Sequence, residues 1–178
     1  MPGIMNVYLV GFMGAGKTEV GRRLAGLLRW TFVDLDCRIA ARKGMAIPEI
    51  FRVEGEAAFR ALESAELKCA GEGQRQVVAV GGGCFCSPEN RAVIAGTGLS
   101  VWLDAPIELL HSRCSPDPGS RPLFSGIGEM AALLERRLPY YAGAQLRIQV
   151  AGRSVDDLAR QIIRELSLSC CDSNGAAD

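Results

Sequence analysis

One stretch, Val7-Tyr8-Leu9-Val10-Gly11-Phe12-Met13-Gly14-Ala15-Gly16-Lys17-Thr18, narrows what this chain can fold into more than any other. An apolar run of strand length meets Gly11, and Gly11 to Thr18 fits the pattern G-x-x-x-x-G-K-[ST]. Such a sequence describes a buried strand that stops, a turn of small residues whose N–H groups face inward, and a helix start. Those N–H groups and the helix N-terminus make a cradle for phosphate oxygens. Gly14, Ala15 and Gly16 would line it, Lys17 would reach the β- and γ-phosphates, and the Thr18 hydroxyl would bind Mg²⁺. The following residues suit the motif, because Val20, Leu24, Leu27 and Leu28 recur at helical spacing.

Beyond this motif, strand-like and helix-like segments alternate. Residues 5–10, 31–33, 77–80, 99–103 and 146–150 read as strands. Helical patterns are expected over 16–28, 37–43, 47–51, 56–69, from Pro88, from Pro106 to about Arg113, 128–138 and 154–166. Gly55 separates the third from the fourth. Ser87-Pro88 and Ser154-x-x-Asp157 are helix-start signals. The alternation predicts a parallel sheet in a layered α/β domain. Residues 114–126, with three prolines and two glycines, predict a functional loop such as a lid. A single domain is expected over 1–168, with a flexible tail over 169–178.

Composition narrows the function classes. Twenty basic and 20 acidic residues give a formal net charge of zero, which offers no electrostatic footprint for nucleic acid. No apolar stretch is long enough for a membrane span, and no signal peptide precedes the first strand, so a cytoplasmic protein is expected. The seven cysteines include no C-x-x-C, and His111 is the one histidine, which argues against zinc and for reduced thiols. Cys84 and Cys86 follow a glycine run, either as small packed residues or as thiols near a site. Seventeen arginines against three lysines weaken any argument from a single arginine and make Lys17 stand out.

In a parallel sheet, ligands bind at the carboxyl ends of strands. Gly11, Asp34, Asp36, Gly81 to Gly83 and Asp104 all fall there. One of Asp34 and Asp36 can face Mg²⁺ and the other an acceptor hydroxyl, although Asp36 can equally cap the helix that follows. Arg60 and Glu63 are either a surface ion pair or an arginine held out to an anion. Gly81, Gly82 and Gly83 permit close backbone approach to a ligand. Arg121 lies in the proline-rich loop, from which it can reach a transferring phosphate. Arg136 and Arg137 precede Pro139, where a helix C-terminus alone would favour them. No acidic residue ends the 77–80 strand, so a bound metal would rest on Thr18, waters and a nearby Asp34.

Taken together, GFMGAGKT at 11–18, FVDLD at 32–36, GEAAFRALE at 55–63, GGG at 81–83, RPLF at 121–124 and RRLPYY at 136–141 resemble shikimate kinases over about residues 7 to 165. The resemblance implies a three-layer α/β/α P-loop fold similar to nucleoside monophosphate kinases. It carries a five-stranded parallel sheet in the order 2-3-1-4-5, helices on both faces and a lid loop. It also implies an ATP-dependent kinase with Mg²⁺, acting as a monomer on the 3-hydroxyl of shikimate. Lys17 and Thr18 match the nucleotide and metal residues, and Asp34 the carboxylate near the metal. Asp36 matches the group that holds the shikimate hydroxyls, Arg60 and Arg137 the carboxylate clamp, and Gly81 to Gly83 the loop against the ring. Arg121 matches a lid arginine, and Arg113 an arginine against adenine. Ala40, where relatives often carry Glu, and Cys84, which suggests a thiol-sensitive site, depart from the pattern. A gluconokinase-type sugar-acid kinase and a non-catalytic nucleotide-binding relative are the alternatives. The glycine triplet with Arg60 and Arg137 disfavours the first, and the full set of substrate residues the second.

Overall fold

The structure is a computed structural model, and residues 6–114 and 126–172 are described. Five strands form one all-parallel sheet: β1 (Asn6–Val10), β2 (Thr31–Asp34), β3 (Gln76–Ala79), β4 (Leu99–Asp104) and β5 (Leu146–Gln149). Their order is β2-β3-β1-β4-β5, as the family resemblance implied. Parallel strands need crossovers, and the helices supply them. These are α1 (Lys17–Leu28), α2 (Leu35–Lys43), α3 (Ile47–Gly71), α4 (Pro88–Thr97), α5 (Ile107–Cys114), α6 (Ile127–Tyr141) and α7 (Val155–Asp172).

β1 lies at the centre, with Val7 beside Val77 on one flank and Leu99 on the other. Successive side chains of a strand point to opposite faces. Val7, Tyr8, Leu9 and Val10 are nonetheless all 0% exposed, so both faces of the sheet are covered. Full burial of each aliphatic side chain among them, Val7, Leu9 and Val10, contributes about 1.5–3 kcal/mol, which makes β1 the anchor of the core. A smaller apolar cluster of Ile39, Ile50 and Phe59, flanked by Ile47 and Phe51, joins α2 to α3. The buried Glu66 reinforces that joint, with Arg38 at 3.1 Å and Arg42 at 2.7 Å.

Several boundaries differ from the sequence expectation for identifiable reasons. α2 begins at Leu35 because Asp34, not Asp36, is its cap: the Asp34 carboxylate accepts the Cys37 N–H. α3 spans both segments expected around Gly55, which adopts φ 82° and ψ 169° and turns one helical piece into the next. α6 continues through Pro139 to Tyr141: the proline forfeits the one bond its N–H would give to the Glu135 carbonyl, and the Tyr141 hydroxyl ties the last turn to the Gly82 carbonyl. α7 runs to Asp172, past the expected end at 166 and into the stretch expected to be a flexible tail. The Ser87 cap held as expected, accepting the Asn90 N–H, and so did Ser154, accepting that of Asp157. The proposed lid at 114–126 and Arg121 within it lie almost wholly outside the described residues. Among the described residues no helix is long and apolar enough to cross a membrane.

Candidate active site

The phosphate-loop motif forms the turn from β1 to α1. Gly14 at φ 76° and Gly16 at φ 91° occupy the left-handed region that other residues avoid, so the loop depends on glycine at both places. Gly16 is the N-cap of α1, with no side chain between the N-terminal N–H groups and the cleft. Lys17 Nζ donates to the carbonyls of Gly11 and Phe12, each at 2.9 Å, which curls the ammonium over the loop. Arg113 at the end of α5 reaches across and donates to Gly14 O at 3.2 Å. A cavity of about 610 Å³ opens here, with Gly14 to Thr18, Asp34, Asp36 and Arg113 in its wall.

β2 delivers the two aspartates differently. Asp34, at the strand end, caps α2 with one oxygen and accepts the Thr18 hydroxyl with the other at 2.9 Å. Two hard oxygen donors from separate elements thus meet beside the phosphate cradle, a set that suits Mg²⁺ completed by phosphates and waters. Asp36 lies two residues further on, in the first turn of α2, and its Oδ1 is buried with no hydrogen-bond partner. Burial pushes its carboxyl above the ordinary value, with Lys17 opposing the shift and Asp34 adding to it. An orphaned buried carboxylate oxygen is costly, and its presence at a cavity wall marks a place for a hydrogen-bond donor.

A second cavity of about 310 Å³ adjoins the first. One wall is apolar, from Ile47, Pro48, Phe51 and Phe59. The other carries Asp36, Arg60, Glu63, the glycines 81–83 and Arg137. Met13, Lys17 and Asp36 line both cavities, so the phosphate end of one opens on the polar wall of the other.

The glycine triplet has a steric explanation. None of the three has a positive φ, so backbone freedom is not the reason for glycine here. A Cβ on Gly81 would stand 2.1 Å from Glu63 Oε1, on Gly82 3.1 Å from an Arg137 nitrogen, and on Gly83 2.6 Å from an Arg60 nitrogen. The bare backbone leaves room for three charged side chains arriving from α3 and α6. The Tyr141 hydroxyl donates to Gly82 O at 2.5 Å and ties the end of α6 to the same loop.

Arg60 and Glu63 are not a surface pair. Glu63 is 0% exposed and accepts from Arg60 at 2.8 Å through Oε2, while its Oε1 has no partner. Burial pushes its carboxyl up, and Arg60 opposes that shift. Arg137 is buried and stacks over Phe12 at 5.6 Å, whereas Arg136 beside it is exposed. Of the two readings of Cys84, the structure selects the packed residue over the thiol-sensitive site. It is 0% exposed, and burial pushes its thiol well above the ordinary value, so it is a packed protonated thiol and not a reactive one. The apolar wall and Tyr141 escaped the sequence reading. The signal for them was the Ile47-Phe51-Phe59 spacing around Gly55 and a tyrosine one turn beyond Arg137.

The family model for shikimate kinase matches residues 13–167. The shikimate kinase of Synechococcus sp. is 41% identical over 164 residues, covering 90% of this chain and 84% of that one. The chain belongs to the shikimate kinase family. A structure described as a shikimate kinase from Acinetobacter baumannii in complex with shikimate superposes with a TM-score of 0.88 at 36% identity, covering 98% of this chain and 96% of that one. A gluconokinase from Sinorhizobium meliloti, at a TM-score of 0.59 and 16% identity over 96% and 97% of the two chains, shares the fold alone. The shikimate kinase family is one of ATP-dependent kinases, and this chain is such an enzyme.

Proposed function

We propose that this enzyme transfers the γ-phosphoryl group of ATP to the 3-hydroxyl of shikimate. The observation that carries the reading is the junction of the two cavities at Lys17 and Asp36. Donor phosphate and acceptor hydroxyl would meet there, and the flanks are suited to a nucleotide on one side and a small hydroxy acid on the other. Arg60 and Arg137 stand on separate helices with two guanidinium groups for one carboxylate. The orphaned Asp36 Oδ1 accepts a hydroxyl proton and aims that oxygen at the phosphoryl group. The apolar wall of Phe51 and Phe59 packs against the ring and excludes water.

Lys17 exchanges the Gly11 and Phe12 carbonyls for phosphate oxygens, and the N–H groups of the loop hold them. Thr18 and Asp34 would hold Mg²⁺, which supplies positive charge against the phosphates when bound. Arg113 covers the nucleotide side, and Arg121 is assigned the role of neutralising transition-state charge from the lid. The reading includes ATP and shikimate as the small-molecule partners and a monomeric, cytoplasmic enzyme. One kinase domain over 1–168 with its lid at 114–126 completes it.

The test is ADP release from Mg²⁺-ATP with shikimate, with gluconate and without acceptor. Release that depends on shikimate alone is the expected result. Release with gluconate instead reassigns the acceptor cavity, and no acceptor-dependent release removes the kinase reading.

A further inference from the structure

Arg60 carries more negative charge than one guanidinium neutralises. Nη1 donates to Glu63 Oε2 at 2.8 Å. Nε and Nη2 both reach one oxygen of Glu56, at 3.4 and 3.2 Å. The two carboxylates differ in kind. The Glu63 side chain is 1% exposed and locked in the core, whereas that of Glu56 is 69% exposed, one turn before Arg60 on the same helix. Glu63 borders the acceptor cavity and Glu56 does not, so Glu56 approaches the guanidinium from the rim.

We propose that Glu56 is the exchangeable counter-ion of Arg60, which occupies the guanidinium before the acceptor binds and surrenders it to the acceptor's carboxylate. The inference rests on the assignment of that cavity to a carboxylic acid. A third carboxylate at Arg60 meets repulsion from the two already there. Glu63 has nowhere to go, while Glu56 swings into water at small cost, because exposed ion pairs are weak. Glu56 therefore weakens the binding of every anion at this site, substrate and phosphorylated product alike. Its return to Arg60 assists product departure.

The experiment compares the parent enzyme with Glu56→Gln, which keeps shape and hydrogen-bonding capacity but removes the charge. KM for shikimate should fall about two- to fivefold, the range of an exposed ion pair, with KM for ATP unmoved. The gain should shrink at about 0.5 M salt, where screening is short-ranged, and vanish with the methyl ester of shikimate, which has no carboxylate. Glu63→Gln should move KM the other way, since it loosens the arginine. A KM for Glu56→Gln equal to or above that of the parent overturns the proposal, as does a gain that the ester shares. An unchanged KM for ATP establishes that the variant is folded, and Glu56→Ala must repeat the direction. Parent enzyme that releases no shikimate-dependent ADP fails the functional reading itself, a result separate from a parent that turns over but gains nothing from the substitution.

Discussion

Gly83 displays at one residue how this site is built by omission. Its missing side chain is the space that the Arg60 guanidinium fills, so Gly83→Ala pushes that group off its line. KM for shikimate should rise about tenfold, the effect of disturbing one charge-assisted contact, while KM for ATP stays put; steady-state kinetics with each substrate varied in turn decides it. Asp36→Asn keeps the shape of the wall but cannot take a proton. It should remove transfer and leave nucleotide affinity nearly intact, as read by ADP titration beside single-turnover kinetics. Loss of nucleotide binding instead would reassign Asp36. Glu63 adds a pH dependence. Its carboxyl is raised by burial, so the folded state holds the proton more tightly than the unfolded one. That contribution to stability is full below the ordinary carboxylate value of about 4.3 and is lost as pH rises through the raised folded value. The Tm of Glu63→Gln relative to the parent should therefore climb as pH rises above the ordinary carboxylate value of about 4.3.

At the scale of elements, α3 does two jobs because Gly55 breaks it. Ile47 to Glu54 contributes the apolar wall, and the helix beyond Gly55 contributes Phe59, Arg60 and Glu63. Phe51 and Phe59 then meet across the break at 4.4 Å between ring centroids. Ion pairs hold the first piece to α2, with Lys43 at 2.6 Å from Glu54. The backbone of Gly55 lies where side chains are strained by roughly 1–3 kcal/mol. Gly55→Ala should cost about that in thermal stability and also raise KM for the acceptor, because any relief of strain moves Phe51. A variant with parental Tm and KM would remove the break from this account. α6 joins Arg137 and Tyr141 one turn apart, so a single helix positions both a guanidinium and the Gly82 carbonyl.

Across the whole molecule, the sheet order decides where the chemistry falls. With β1 between β3 and β4, the phosphate loop lies beside the glycine triplet that follows β3, and β2 on the far side of β3 brings Asp34 and Asp36. The carboxyl ends of three strands thus converge on one junction. Nucleotide binding should be read by the whole fold: at 100 times its Kd, ADP stabilises by about 2.7 kcal/mol. The resulting rise in Tm should be lost in Lys17→Ala together with turnover, and an unchanged shift in that variant would deny the loop its role.

The sequence by itself determined the phosphate loop, the alternation of strands and helices, and the family with its sheet order, because these are local patterns or continuous blocks of matching residues. Lys17, Thr18, Asp34, Asp36, Arg60, Gly81 to Gly83 and Arg137 are all legible in the sequence. Their partners were not. That Asp34 and not Asp36 caps α2, that Glu63 is buried and half-satisfied, and that Arg137 turns inward while Arg136 faces water depend on how helices meet. Cys84, which follows the glycines in sequence, proved to be core for the same reason. A local pattern specifies which residues can share an element, but burial and the pairing of charges arise between elements far apart in the chain. Only the packed structure selects them.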